Sequence, residues 1–101
     1  MSARVRRAAL GALLAAALGA CGPVTYINEV TRHAAGDVEA ARAAQADQFA
    51  PYWYTLAVEY LRKAREEAAH ADYQTANRLG KKASLAARKA VEVALSEARR
   101  R

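Results

Sequence analysis

The sequence predicts an all-α fold, a three-helix alanine-rich bundle behind a short leader, and three observations carry that prediction. Breakers are scarce: 101 residues hold 2 Pro and 5 Gly, and Gly11 and Gly19 fall in the leader, so the rest reads as long helices. Alanine dominates the 53% of hydrophobic residues; it is the best helix former but buries little area, which predicts closely spaced backbones and a modest core. Beyond residue 25 the apolar residues recur at helical spacing. The length suits one small domain.

The elements follow in chain order. Arg4, Arg6 and Arg7 form a basic start, Ala8 to Leu18 an uncharged apolar run, and Leu18-Gly19-Ala20 a run suited to cleavage, the anatomy of a signal peptide over residues 1–20. The run is short of the roughly 20 apolar residues that a membrane-spanning helix needs. Leu18-Gly19-Ala20-Cys21 resembles the lipobox of bacterial lipoproteins. That resemblance implies cleavage between Ala20 and Cys21, acylation of the Cys21 sulfur and a stable membrane anchor. Cys21 is the sole cysteine, so an intrachain disulfide is excluded. In the sorting rule of such lipoproteins an aspartate after the cysteine marks inner-membrane retention; Gly22 stands there instead, which is compatible with delivery to the outer membrane, facing the periplasm.

Residues 21–25 read as a lipidated tether, with Gly22-Pro23 delaying any helix until Thr25 can cap it. The mature domain is expected over 26–101. Ile27, Val30, Ala34, Val38, Ala41 and Phe49 give a first helix at about 26–48, with Gly36-Asp37 a point where it could break. Ala50-Pro51 marks the boundary, because proline suits the first helical position and disfavours helix in the residue before it. The second helix, about 51–70, has the stripe Trp53, Ala57, Tyr60, Leu61, Ala64 and Ala68; Glu59 with Lys63 and Arg62 with Glu66 are expected surface pairs on its outer side. The third, about 73–99, carries Ala76, Leu79, Ala83, Ala86, Ala90 and Val93 in heptad-like steps. The short connection makes the last two helices an antiparallel hairpin.

Ala50-Pro51, Tyr60-Leu61-x-x-Ala64, Asp72-Tyr73-x-x-Ala76 and Ala83, set behind a lipobox, resemble the domain of unknown function 4398 family of small helical envelope lipoproteins. The Asp72-Tyr73-x-x-Ala76 element is also similar to the turn of a tetratricopeptide repeat, which implies a capping aspartate, an aromatic packed into the hairpin and a small residue admitting the facing helix. A single such hairpin is visible, so no repeat array is expected.

No catalytic constellation is expected. His33 and His70 lie far apart with no second histidine or cysteine at ligand spacing, Ser84 and Ser96 have no histidine nearby, and a glycine-rich phosphate loop is missing. Neither cofactor, metal nor small-molecule substrate is anticipated. The net charge of +6 is polarised: residues 21–77 hold 5 basic and 8 acidic side chains, and residues 78–101 hold 8 and 2. Export argues against nucleic acid as the target of that basic end. The candidate partner-binding residues are therefore Arg78, Lys81, Lys82, Arg88 and Lys89, with Tyr52 and Tyr54 from the aromatic cluster around Pro51, and the expected partners are an envelope protein, peptidoglycan or the membrane reached through the Cys21 anchor. The expected role is a non-catalytic interaction or structural module anchored in the outer membrane. The alternative is a membrane-surface-active lipoprotein, which wants bulkier apolar stripes and fewer acids than these helices have.

Overall fold

The computed structural model describes the backbone of residues 3–101 and the side chains of residues 3–12 and 28–101. Every element among them is helical: α1 (Ala3–Ala43), α2 (Ala46–Phe49), α3 (Pro51–Ala69) and α4 (Tyr73–Arg100).

The first helix differs from its expected bounds at both ends. The backbone helix runs unbroken from Ala3 through the expected tether to Ala43, so the Gly22-Pro23 delay and a helix start at Thr25 are not seen. At the far end Gln45 adopts a left-handed conformation (φ 58°), and its carbonyl accepts from the Phe49 N–H at 3.0 Å. This kink stops α1 at Ala43 and sets residues 46–49 apart as the single turn α2. Gly36 does not break α1; it is exposed and helical, and a Cβ there would meet nothing within 4 Å. Gln45, not Gly36, is the break that the glycine-based reading missed.

The α3–α4 hairpin is closed by a Schellman turn. The Asp72 N–H donates to the Glu67 carbonyl at 2.9 Å and the Ala71 N–H to that of Ala68 at 3.0 Å, which satisfies carbonyls left open at the end of α3. Ala71 holds the left-handed position (φ 62°). Asp72 then caps α4, its Oδ1 accepting from the Thr75 N–H at 3.2 Å. Pro51 opens α3 at its first turn, where its missing N–H does no harm.

Helix α4 is the centre of the bundle. Tyr60 and Trp53 of α3 lie beside Lys82 and Lys89 respectively, so α3 runs antiparallel to it; Val30 and Asp37 of α1 lie against Gly80 and Arg88, so α1 runs parallel. Serving two neighbours, α4 buries Ala76, Gly80, Ala83, Ala87, Ala90 and Ala94 in steps of four and three. The expected stripe placed Leu79 and Val93 at such positions; both are only half-buried. Close approach of α1 reserves the deepest places for glycine and alanine. Among the described residues every buried hydrophobic side chain is alanine except Leu61, and no large side chain is fully buried. The larger groups, Phe49, Trp53, Tyr54, Leu56 and Tyr60, pack around the alanine seam at partial exposure.

Candidate functional site

Positions 78, 81, 82, 85, 88 and 89 of α4 point away from the seam and are all exposed. Leu85 stands at their middle with 66% of its surface open. One turn before and one turn after it, the residues are Lys81 and Lys82, then Arg88 and Lys89, so four cations frame one leucine.

Leu85 is also the wall between two grooves. One, of about 460 Å³, lies between α1 and α4 and is lined by Glu29, Val30, His33, Lys81, Ser84, Leu85 and Arg88. The other, of about 370 Å³, lies between α3 and α4 and is lined by Trp53, Leu56, Tyr60, Lys82, Leu85, Ala86 and Lys89. The small seam residues explain both: helices brought close at alanine and glycine leave shallow furrows outside the seam, floored by Val30 and Leu85 on one side and by Trp53, Leu56 and Leu85 on the other.

The five cations are not equivalent. Arg88 is held from α1: its Nε is 3.4 Å from Asp37 Oδ2 and its guanidinium lies 2.9 Å from His33 Nε2. Lys89 pairs with Glu92 at 3.2 Å. Lys82 has its ammonium 5.8 Å from the centre of the Tyr60 ring, within cation–π range. Among the described residues Arg78 and Lys81 have no ion-pair partner. Among the described residues the acids that pair with this face are Glu92, from α4 itself, and Asp37, which reaches Arg88 from α1. Two residues four apart on α1, His33 and Asp37, supply that contact, and nothing within α4 pointed to either.

Tyr52 and Tyr54 do not join one surface. Tyr52 is 68% exposed and meets Trp53 edge-to-face at 5.1 Å, whereas Tyr54 is half-buried against the alanine core. Phe49 lies under the Arg101 guanidinium at 5.0 Å. Exposed Leu85, central to the face, had no place in the basic patch read from the sequence; its spacing of three and four from Lys81, Lys82, Arg88 and Lys89 was the available signal.

The remaining acids are mostly engaged within their own helices. Arg62 bridges Glu59 at 3.0 Å and Glu66 at 3.3 Å. Lys63 pairs with Glu66 and Glu67 rather than with Glu59 as expected, because Arg62 occupies that carboxylate. Hydrogen bonding to Glu67 and then Glu66 raises the Lys63 pKa, and bonding to Lys63 lowers that of Glu66. The Arg42 guanidinium likewise lowers the Glu39 carboxyl.

Among the described residues no cluster of histidine, cysteine, aspartate or glutamate could hold a metal ion, and no helix is long and apolar enough to cross a membrane. The expected cleavage and lipidation residues, Ala20 and Cys21, lie outside the described side chains. No protein-family model, curated protein or solved structure matches this chain.

Proposed function

We propose that this protein is a periplasmic lipoprotein of the outer membrane, similar to the domain of unknown function 4398 family, cut after Ala20 and anchored by lipid on Cys21. It works without catalysis, presenting a tetratricopeptide-like hairpin to another envelope component. The observation that carries the reading is the outer face of α4, where Lys81 and Lys82 stand one turn and Arg78 two turns before exposed Leu85, none of the three in an ion pair among the described residues. Exposed cations contribute little to folding, so their concentration on one face is better accounted for by a partner. Residues 3–12 are exposed throughout, which suits a leader that can be removed without uncovering the core. The membrane-surface alternative is less favoured, since α3 mixes acids with bases on its outer face and α4 buries mainly alanine.

Two measurements test the proposal. Labelled palmitate incorporation and outer-membrane fractionation are expected for the wild type and lost in Cys21→Ala; label retained in that variant refutes the anchor. Cross-linking in envelope membranes is expected to recover a partner that the triple variant Arg78→Gln, Lys81→Gln, Lys82→Gln does not. Recovery unchanged by those substitutions removes this face from the function.

A further inference from the structure

We infer that the occupant of the α4 face is an acidic amphipathic helix of another protein, seated along Leu85 with its apolar residues in the two furrows and its carboxylates on the flanking cations. The inference rests on the interaction-module reading above and specifies the partner's chemistry.

Charge complementarity selects this occupant. The apolar floor is concave and doubled, formed by Val30 and Leu85 on one side and by Trp53, Leu56 and Leu85 on the other. Lys81 and Arg88 rim the first furrow on its α4 side, with Glu29 and His33 on its α1 side, and Lys82 and Lys89 rim the second. A helix laid in such a groove anchors through apolar residues at three- and four-residue spacing, and here each furrow carries two cations of α4, one turn before and one turn after Leu85. A second copy docking through the same face would set these cations against their equals. Most of the chain's own acids are engaged as well: Asp37, Glu39, Glu59, Glu66, Glu67, Glu92 and Glu97 pair with its own bases, and Glu29, Asp47 and Asp72 lie on three separate segments. A bilayer surface fits less well, because membrane-lying helices bury a broad apolar face and this one offers a single leucine between grooves.

The probe is a labelled synthetic helix of about 18 residues, roughly five turns, with leucine on one side and glutamate on the other. A leucine/lysine helix of equal length and anionic phosphatidylglycerol vesicles serve as the comparison arms. The full chain is expected to bind the leucine/glutamate helix, with affinity falling at least tenfold in Lys81→Glu/Lys82→Glu and in Leu85→Glu, and falling with added salt. The charge-reversed double variant is expected to gain binding to the leucine/lysine helix, a result that misfolding could not produce; circular dichroism checks that each variant remains helical. Absence of binding to the leucine/glutamate helix by the helical wild type, unchanged binding in both variants, or stronger capture by the vesicles than by the helix overturns the inference. None of these results bears on palmitate incorporation at Cys21, so the inference can fail while the anchor proposal stands.

Discussion

A Cβ placed on Gly80 would lie 2.7 Å from Val30 Cγ1, so α1 and α4 meet at a distance that only glycine permits at this position. Valine is stiff about χ1 in a helix and cannot easily swing aside. Replacing glycine by alanine inside a helix ordinarily gains up to about 1 kcal/mol. Overpacking a close contact costs about 1–3 kcal/mol. The clash outweighs the gain, and Gly80→Ala is expected to lower stability by about 1 kcal/mol. Adding Val30→Ala should recover part of that loss, a positive coupling in a double-mutant cycle measured by urea unfolding. Additive losses would show that the two residues do not limit the approach.

Gly36 gives the opposite sign. It is helical and exposed, and an added Cβ would touch nothing. Gly36→Ala is therefore expected to raise stability by about 0.5–1 kcal/mol, through the helix entropy that glycine forfeits. A lower urea midpoint in this variant would mean that the glycine has a partner.

The two glycines show what the sequence made legible. Helical class, the Pro51 boundary and the Asp72 turn all follow from local chemistry, since proline at a first turn and a capping aspartate act within a few residues of themselves. Gly36 and Gly80 are indistinguishable on that basis. Their difference lies in α1 crossing one and not the other, and the same cause displaced the expected stripe from Leu79 and Val93 to Gly80 and Ala94. At the candidate face the cations were legible as a charge run, but Arg88's partners His33 and Asp37 sit on a helix distant in sequence. The end of α1 was hidden for another reason: Gln45 takes a left-handed conformation usually reserved for glycine or asparagine.

Ala71 occupies the same kind of position in the α3–α4 turn, with φ at 62° and both Schellman hydrogen bonds in place. A Cβ in that region is strained, and glycine relieves the strain while giving the unfolded chain more freedom. The net expectation for Ala71→Gly is a stabilisation of about 0.5–1 kcal/mol, read as a higher melting temperature. A fall would place the turn's conformation elsewhere.

Asp72 predicts how the hairpin responds to acid. Hydrogen bonding to Thr75, from its side chain and then from its backbone, lowers the Asp72 carboxyl from its ordinary 3.8. A depressed folded-state pKa contributes stability that is present above the unfolded value and lost as pH falls through the folded one. Asp72→Ala should therefore melt below the wild type at pH 7, and the gap should close as pH drops below about 4, where the unfolded aspartate takes up its proton. Thermal melts by circular dichroism across that range check this. A gap that persists unchanged in acid would show that the ionised carboxylate is not what caps α4.

Asp37 engages one cation of the face, Arg88. Its Oδ2 lies 3.4 Å from Arg88 Nε and 3.6 Å from His33 Nε2, and it is mostly sheltered, at 22% exposure, while the Arg88 side chain is 59% exposed. So open an arginine screens the pair with water, and Asp37→Asn is expected to lower stability by less than about 1 kcal/mol. The consequence for binding has the opposite direction. With the carboxylate neutralised, Arg88 retains only the His33 nitrogen as a partner and can turn toward the groove it rims. Binding of the leucine/glutamate helix should then tighten, by roughly two- to fivefold for one added surface cation, with a steeper dependence on salt. Fluorescence anisotropy titrations of the wild type and Asp37→Asn at low and moderate salt measure both effects. Weaker binding in Asp37→Asn would mean that Asp37 positions Arg88 for the partner, and that the ion pair belongs to the docking surface instead of competing with it.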